Sequence, residues 1–173
     1  RSLVRVHAEV LLAADPNTIV IEADLRDPKA LLDRPELREH LDFTQPIGLL
    51  LVAVLHFVQE NAHEIVETLR DALPSGSYVA ISHGLRDESH RNIQDKGREI
   101  YRRSSADVAL RTREEIARFF DGLTMMGSGL DYIAEWSIDG TRRYAKGDKV
   151  VATDDFTMPK DFALLCGLAR IDR

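Results

Sequence analysis

Four polar side chains stand directly after apolar runs, where an α/β protein concentrates its chemistry: Asp24, His56, Ser82 and His83. In an open α/β sheet, ligands bind outside the carboxyl ends of the strands, so groups delivered there converge on one cleft. A carboxylate at that edge accepts hydrogen bonds from amino groups, and a histidine can take a proton near neutral pH. Each residue also has an ordinary structural reading. Asp24 could stabilise the turn ahead of Asp27, and both histidines could be strand-end residues bonded to backbone. Tyr101 suits either a substrate mouth or the packing of a covering helix. The six histidines are dispersed, and no His-x-x-x-His pair or acidic pair has ligand spacing, so no metal site is expected. Cys166 lies inside an apolar run and reads as a small core residue, not a nucleophile.

The elements that would hold these groups follow from periodicity. Leu3, His7, Val10, Leu11 and Ala14 recur at helical spacing until Asp15-Pro16-Asn17 stops them. Residues 18–23 are a short β-branched run and predict a strand ending at Asp24. Asp27 with Pro28 opens a short helix, and residues 35–41 form another. Residues 47–55 carry no polar side chain and predict a central parallel strand buried on both faces. Asn61 with Glu64 is a capping box ahead of the stripe Ile65, Val66, Leu69 and Leu73. Residues 77–82 are the next strand, and the polar stretch 85–105 is a covering helix or lid. Thr112 with Glu115 is a second capping box, behind which Ile116, Phe119 and Phe120 face the core. Residues 130–136 and 162–171 are strands, with a polar excursion at 139–160 between them. The alternation predicts a single α/β domain over residues 1–173, with 162–171 antiparallel to 18–23, 47–55 and 77–82.

Composition bounds the partners. The chain has 173 residues, 44% apolar and 30% charged, which is enough for a real core. A net charge of −6 gives no footing for a nucleic-acid backbone or an anionic membrane, and the local clusters at Arg98, Arg102 and Arg103 and at Arg142 and Arg143 read as solvated faces. No segment approaches the roughly 18 apolar residues of a membrane helix. One cysteine excludes a disulfide framework and fits a cytoplasmic setting.

Four segments carry a resemblance, in order: residues 21–28 (IEADLRDP), 49–58 (LLLVAVLHFV), 74–83 (PSGSYVAISH) and 110–123 (LRTREEIARFFDGL). Together they resemble the class I S-adenosylmethionine-dependent methyltransferases. They are most similar to an actinobacterial family named S-adenosyl methyltransferase, formerly a domain of unknown function. The resemblance implies a Rossmann-like sheet, S-adenosyl-L-methionine as cofactor and a small-molecule acceptor. It implies that Asp24 accepts from the adenine amino group and that the Leu25 backbone touches the ring. Ala53, Val54 and Leu55 would pass the methionine half, and His56 would sit beside the methyl-transfer locus. His56 and His83 are then the available bases, and Tyr101 a substrate contact.

The sequence also departs from that family. Its members carry a first strand ending in a glycine-rich turn and a second ending in an acidic residue, whereas the only glycine before Gly76 here is Gly48. The first two strands are therefore expected to lie outside this sequence. The flank of strand 47–55 would be filled by such residues or by a second copy in a homodimer, because a bare apolar edge is a pairing hazard. Closure of residues 18–23 onto that flank would instead favour a non-catalytic relative. A nucleotide-dependent dehydrogenase suffers equally from the absent glycine turn and lacks the match.

Overall fold

The computed structural model describes residues 3–12, 15–86, 108–140 and 164–173. The expected lid lies outside them except for Leu85 and Arg86, and Tyr101 lies outside with it.

Strand β1 (Gly48–Val52) pairs in parallel with β2 (Tyr78–Gly84), Gly48 opposite Tyr78 and Val52 opposite Ser82. Strand β5 (Leu164–Arg170) runs antiparallel to β2 on its other side, as expected for the last strand. The short β3 (Thr124–Met125) and β4 (Asp131–Tyr132) both pair antiparallel with β5, and the order β1-β2-β5-β3 makes a mixed open sheet. The strand expected at 130–136 thus shrinks to β4, after which the chain turns at Ile133.

One sheet face is built as the periodicity requires. Helix α4 (Ala62–Asp71) lays Ile65, Val66 and Leu69 on it, and Leu73 follows. Helix α5 (Arg113–Ala117) and the 3-10 turn Arg118–Phe120 add Ile116, Phe119 and Phe120. These side chains share one buried cluster with Leu51, Val79, Ile81, Leu165 and Ala169. Helix α5 starts where expected, because Thr112 accepts from the Glu115 amide while Glu115 accepts from the Thr112 amide. The box expected at Asn61 does not form. Asn61 is left-handed (φ 57°), and its side chain does not cap the helix. A residue there has left the extended conformation from which an N-cap side chain reaches back. Helix α2 (Pro28–Leu32) has the expected cap, Asp27 accepting from the Ala30 amide, and α3 is Pro35–His40.

Three expectations change. Residues 18–23 pair with no strand among the described residues. They run beside α3 instead, and His40 Nε2 bonds the Asn17 carbonyl at 2.8 Å. A β-branched run sets extended backbone, but a strand also needs a ladder partner. Strand 47–55 ends early, because Ala53 adopts φ 51° and turns the chain off the sheet. The same strand is not buried on both faces: Leu50 is 67% and Val52 60% exposed, while Leu51 between them is 5%. Among the described residues no strand lies on the far side of β1, neither residues 18–23 nor any other. Helix α1 (Leu3–Leu12) is similarly uncovered, with Leu3, Val10 and Leu11 exposed. An apolar run records hydrophobicity but not what covers it.

The two faces should respond differently to truncation. Leu165→Ala, at a fully buried site, is expected to cost about 2–5 kcal/mol of unfolding free energy. Leu50→Ala is expected to cost less than about 1 kcal/mol. Ala53→Gly is expected to be neutral or stabilising by up to about 1 kcal/mol, since it relieves the left-handed backbone. Urea denaturation measures all three, and equal losses at Leu50 and Leu165 would mean that the outer face is covered in solution.

Candidate functional site

The chain leaves β1 through Ala53, whose amide donates to Ser82 Oγ (3.0 Å) and to the Ser82 carbonyl (3.3 Å) on β2. The break is therefore tied to the neighbouring strand at the point where the backbone turns left-handed. Such conformations cost free energy in a residue with a Cβ and gather where function requires them. The 3-10 turn Leu55–Phe57 follows, so His56 sits in a tight turn and not on a strand end as expected. Its residue is 4% exposed, and its ring lies 4.5 Å from that of Phe57 and 5.8 Å, edge-on, from that of His83. Burial, and then the charge of Arg111, push the His56 pKa down, so the imidazole is neutral at pH 7.

His83, on β2, is fully buried. Its Nδ1 lies 2.9 Å from the Gly84 carbonyl and its Nε2 2.7 Å from Arg111 Nη1. A carbonyl only accepts and a guanidinium only donates, so the proton belongs on Nδ1 and the lone pair on Nε2. Desolvation pulls its pKa down to about 4, against the contrary effect of the Gly84 bond. Both ring nitrogens are thus engaged, which leaves neither for a substrate in this arrangement.

Arg111 completes the cluster. It is 8% exposed and donates from Nη1 to the Leu55 carbonyl (3.1 Å) and from Nη2 to the Val58 carbonyl (2.8 Å). Its guanidinium lies 5.7 Å from the Phe119 ring centroid, with His63 stacked on the same ring at 4.3 Å. The Arg111 backbone bridges to Leu85, with the Arg86 amide on the Arg111 carbonyl (2.7 Å) and the Arg111 amide on the Gly84 carbonyl (3.3 Å). The Ala109 amide reaches the His56 carbonyl at 2.7 Å. Arg86 and Glu115 close the outside with an ion pair of 3.0 Å. Sequence reasoning missed Arg111 and Phe57. Arg111 lies in a run of arginines and acids that reads as solvated surface, and two of its three acceptors stand more than fifty residues away.

The remaining expected residues are placed as follows. Leu25 and Val54 both pack, partly buried, on the one apolar cluster. Ala53 and Val54 keep some exposed surface, whereas Leu55 is fully buried and its carbonyl is taken by Arg111 and the Val58 amide. Asp24 is exposed. Its carboxylate forms a fork with Arg26 (2.6–3.1 Å) and accepts from the Arg26 amide, which holds its pKa down at about 2. It is charged at neutral pH, but in this arrangement its partners belong to its own loop. Cys166 is half-buried, and its thiol is pushed up to about 11 by burial and then by Asp131, so it stays protonated. Among the described residues no three His, Cys, Asp or Glu side chains are gathered as for a metal, and no helix is long and apolar enough to cross a membrane.

The sequence pattern of the S-adenosyl methyltransferase family matches residues 2–172. A DUF574 family protein from Streptomyces avermitilis is similar in structure (TM-score 0.70) and 34% identical, over 87% of this chain and 54% of its own. A Thermobifida fusca protein proposed to be a methyltransferase is similar (TM-score 0.76) and 31% identical, over 97% of this chain and 59% of its own. The chain thus spans a little over half the length of these relatives. No curated protein matches it. The match over nearly its whole length and the two like folds place the chain in the S-adenosyl methyltransferase family.

Proposed function

We propose that the protein transfers a methyl group from S-adenosyl-L-methionine to a small-molecule acceptor in the cytoplasm, at the carboxyl edge of β1 and β2. The observation that carries this reading is the left-handed break at Ala53, which turns Val54 and His56 off the sheet edge beside His83 of β2. Family membership names the cofactor, and the break puts this chain's residues where an open sheet binds ligands.

Bound there, S-adenosyl-L-methionine supplies a methyl on a positively charged sulfur, which a nucleophile can take without covalent help from the protein. The protein's work is then to align the acceptor and exclude water. Ala53 and Val54 would form the apolar wall for the methionine half, and Leu25 would hold the adenine. Asp24 accepts from the adenine amino group and must share its carboxylate with Arg26 to do so. His56, neutral at pH 7, takes a proton on a ring nitrogen when the acceptor must lose one. His83 has both nitrogens engaged and supports the site without exchanging protons.

Calorimetry with S-adenosylmethionine and S-adenosylhomocysteine tests the reading: saturable binding of both is expected, and binding of neither ends it. Asp24→Ala should weaken binding only modestly, because Asp24 is exposed and its bond competes with water and Arg26. Unchanged affinity would remove its role.

His83 gives a pH test. Its folded pKa of about 4 lies below the ordinary 6.5, so the unfolded chain takes up the proton first as pH falls. Stability should be full above about pH 6.5 and should fall by roughly 3 kcal/mol through the window down to pH 4. The shift at His56 has the same sign. Urea midpoints measured across that window should be flatter in His83→Gln; an unchanged slope would mean that His83 titrates freely.

A further inference from the structure

We infer that Arg111 is a positioning residue: it locks the turn at 55–58 and fixes the tautomer of His83, so that His56 is held in one orientation at the sheet edge. The inference rests on the methyltransferase reading for its functional half only.

The geometry gives Arg111 three acceptors on two separate strand exits. The Leu55 and Val58 carbonyls belong to the turn after β1, and His83 Nε2 belongs to β2. His56 lies between those two carbonyls in sequence, and its own carbonyl accepts from Ala109, two residues before Arg111. The backbone bridge from Arg111 to Leu85 carries the same segment along the exit of β2. His56 is therefore held from both sides of its turn by one short segment. A flat guanidinium suits this task, because its donors diverge in a fixed plane toward several acceptors at once. A lysine has one nitrogen and cannot reproduce that spread.

The tautomer follows from the same contact. With Arg111 donating to Nε2, His83 must keep its proton on Nδ1 and give it to Gly84. Without that donor, Nε2 can carry the proton and the Gly84 bond is lost. The His83 and His56 rings stand at 88° with centroids 5.8 Å apart, so a reoriented His83 ring is expected to shift the His56 signals as well.

The test compares Arg111→Met, Arg111→Lys and Leu165→Ala with the wild type in the full chain. Imidazole 15N spectra report the tautomer without any ligand. Arg111→Met should convert His83 from a single Nδ1–H form to a mixture and shift the His56 signals, while Leu165→Ala should change neither. Unchanged His83 and His56 signals in Arg111→Met overturn the inference. Should that variant fail to fold, Arg111→Lys supplies the same reading, with a partial mixture expected and wild-type signals overturning it. For the functional half, S-adenosylhomocysteine affinity should fall about tenfold in Arg111→Met, the scale expected for losing a charge-assisted hydrogen bond, with part of it restored in Arg111→Lys. Equal losses in Arg111→Met and Leu165→Ala would reduce Arg111 to a stabilising residue and overturn the positioning role. If the wild type binds no S-adenosylhomocysteine, the methyltransferase reading falls, and the 15N spectra alone decide for or against Arg111.

Discussion

A buried guanidinium at the exits of two strands is the interaction on which this site depends. Arg111 leaves water at a cost of several kcal/mol that only well-placed acceptors can offset. The Leu55 and Val58 carbonyls and the His83 imidazole provide them. These partners are neutral, and the charge is balanced at longer range by Glu115. Glu115 also caps α5 and pairs with Arg86, so one carboxylate links helix start, ion pair and buried charge. Aromatic packing completes the enclosure, with Phe119 beneath the guanidinium and His63 stacked on its ring.

This arrangement explains why two neighbouring histidines differ in what they can do. His83 is neutral chiefly because its site is desolvated, with the charge of Arg111 acting in the same direction, and its hydrogen bonds leave it no free nitrogen. His56 feels the same loss of water, and after it the same positive charge, from within a turn. The two rings are neighbours in this buried cluster, with centroids 5.8 Å apart and planes at 88°. Asp24 shows the opposite electrostatics, a solvent-exposed carboxylate held ionised by its own loop.

The packing is asymmetric. Helices α4 and α5 and the 3-10 turn after α5 press Ile65, Val66, Ile116 and Phe119 onto one sheet face, where Gly167 leaves room for the Phe120 ring; a Cβ there would meet it at 2.9 Å. The other face holds Leu50 and Val52 in the open, and on the edge away from β2 the strand β1 has no partner among the described residues. The stability of the described sheet is thus concentrated on one side of it, with β2 central to both long pairings.

Much of the frame was legible in the order of residues. Helical spacing at Ile65, Val66 and Leu69 and the Thr112–Glu115 box are consequences of local periodicity and local capping, which need no distant partner, while the antiparallel last strand was legible from the order of the elements. The likeness of four segments to one family was also present in the sequence alone. What failed depended on partners. Residues 18–23 had strand composition but found no ladder, and Asn61 had capping chemistry but the wrong backbone angle. Residues 47–55 had the hydrophobicity of a buried strand but ended at a left-handed Ala53 with one face exposed. Arg111 is the sharpest case. Among its neighbours it looks like any surface arginine, and only the folding of β1 and β2 to a common edge brings its acceptors within 3.1 Å. Sequence determines what a side chain can donate or accept; tertiary structure decides whether water or a carbonyl more than fifty residues away answers it.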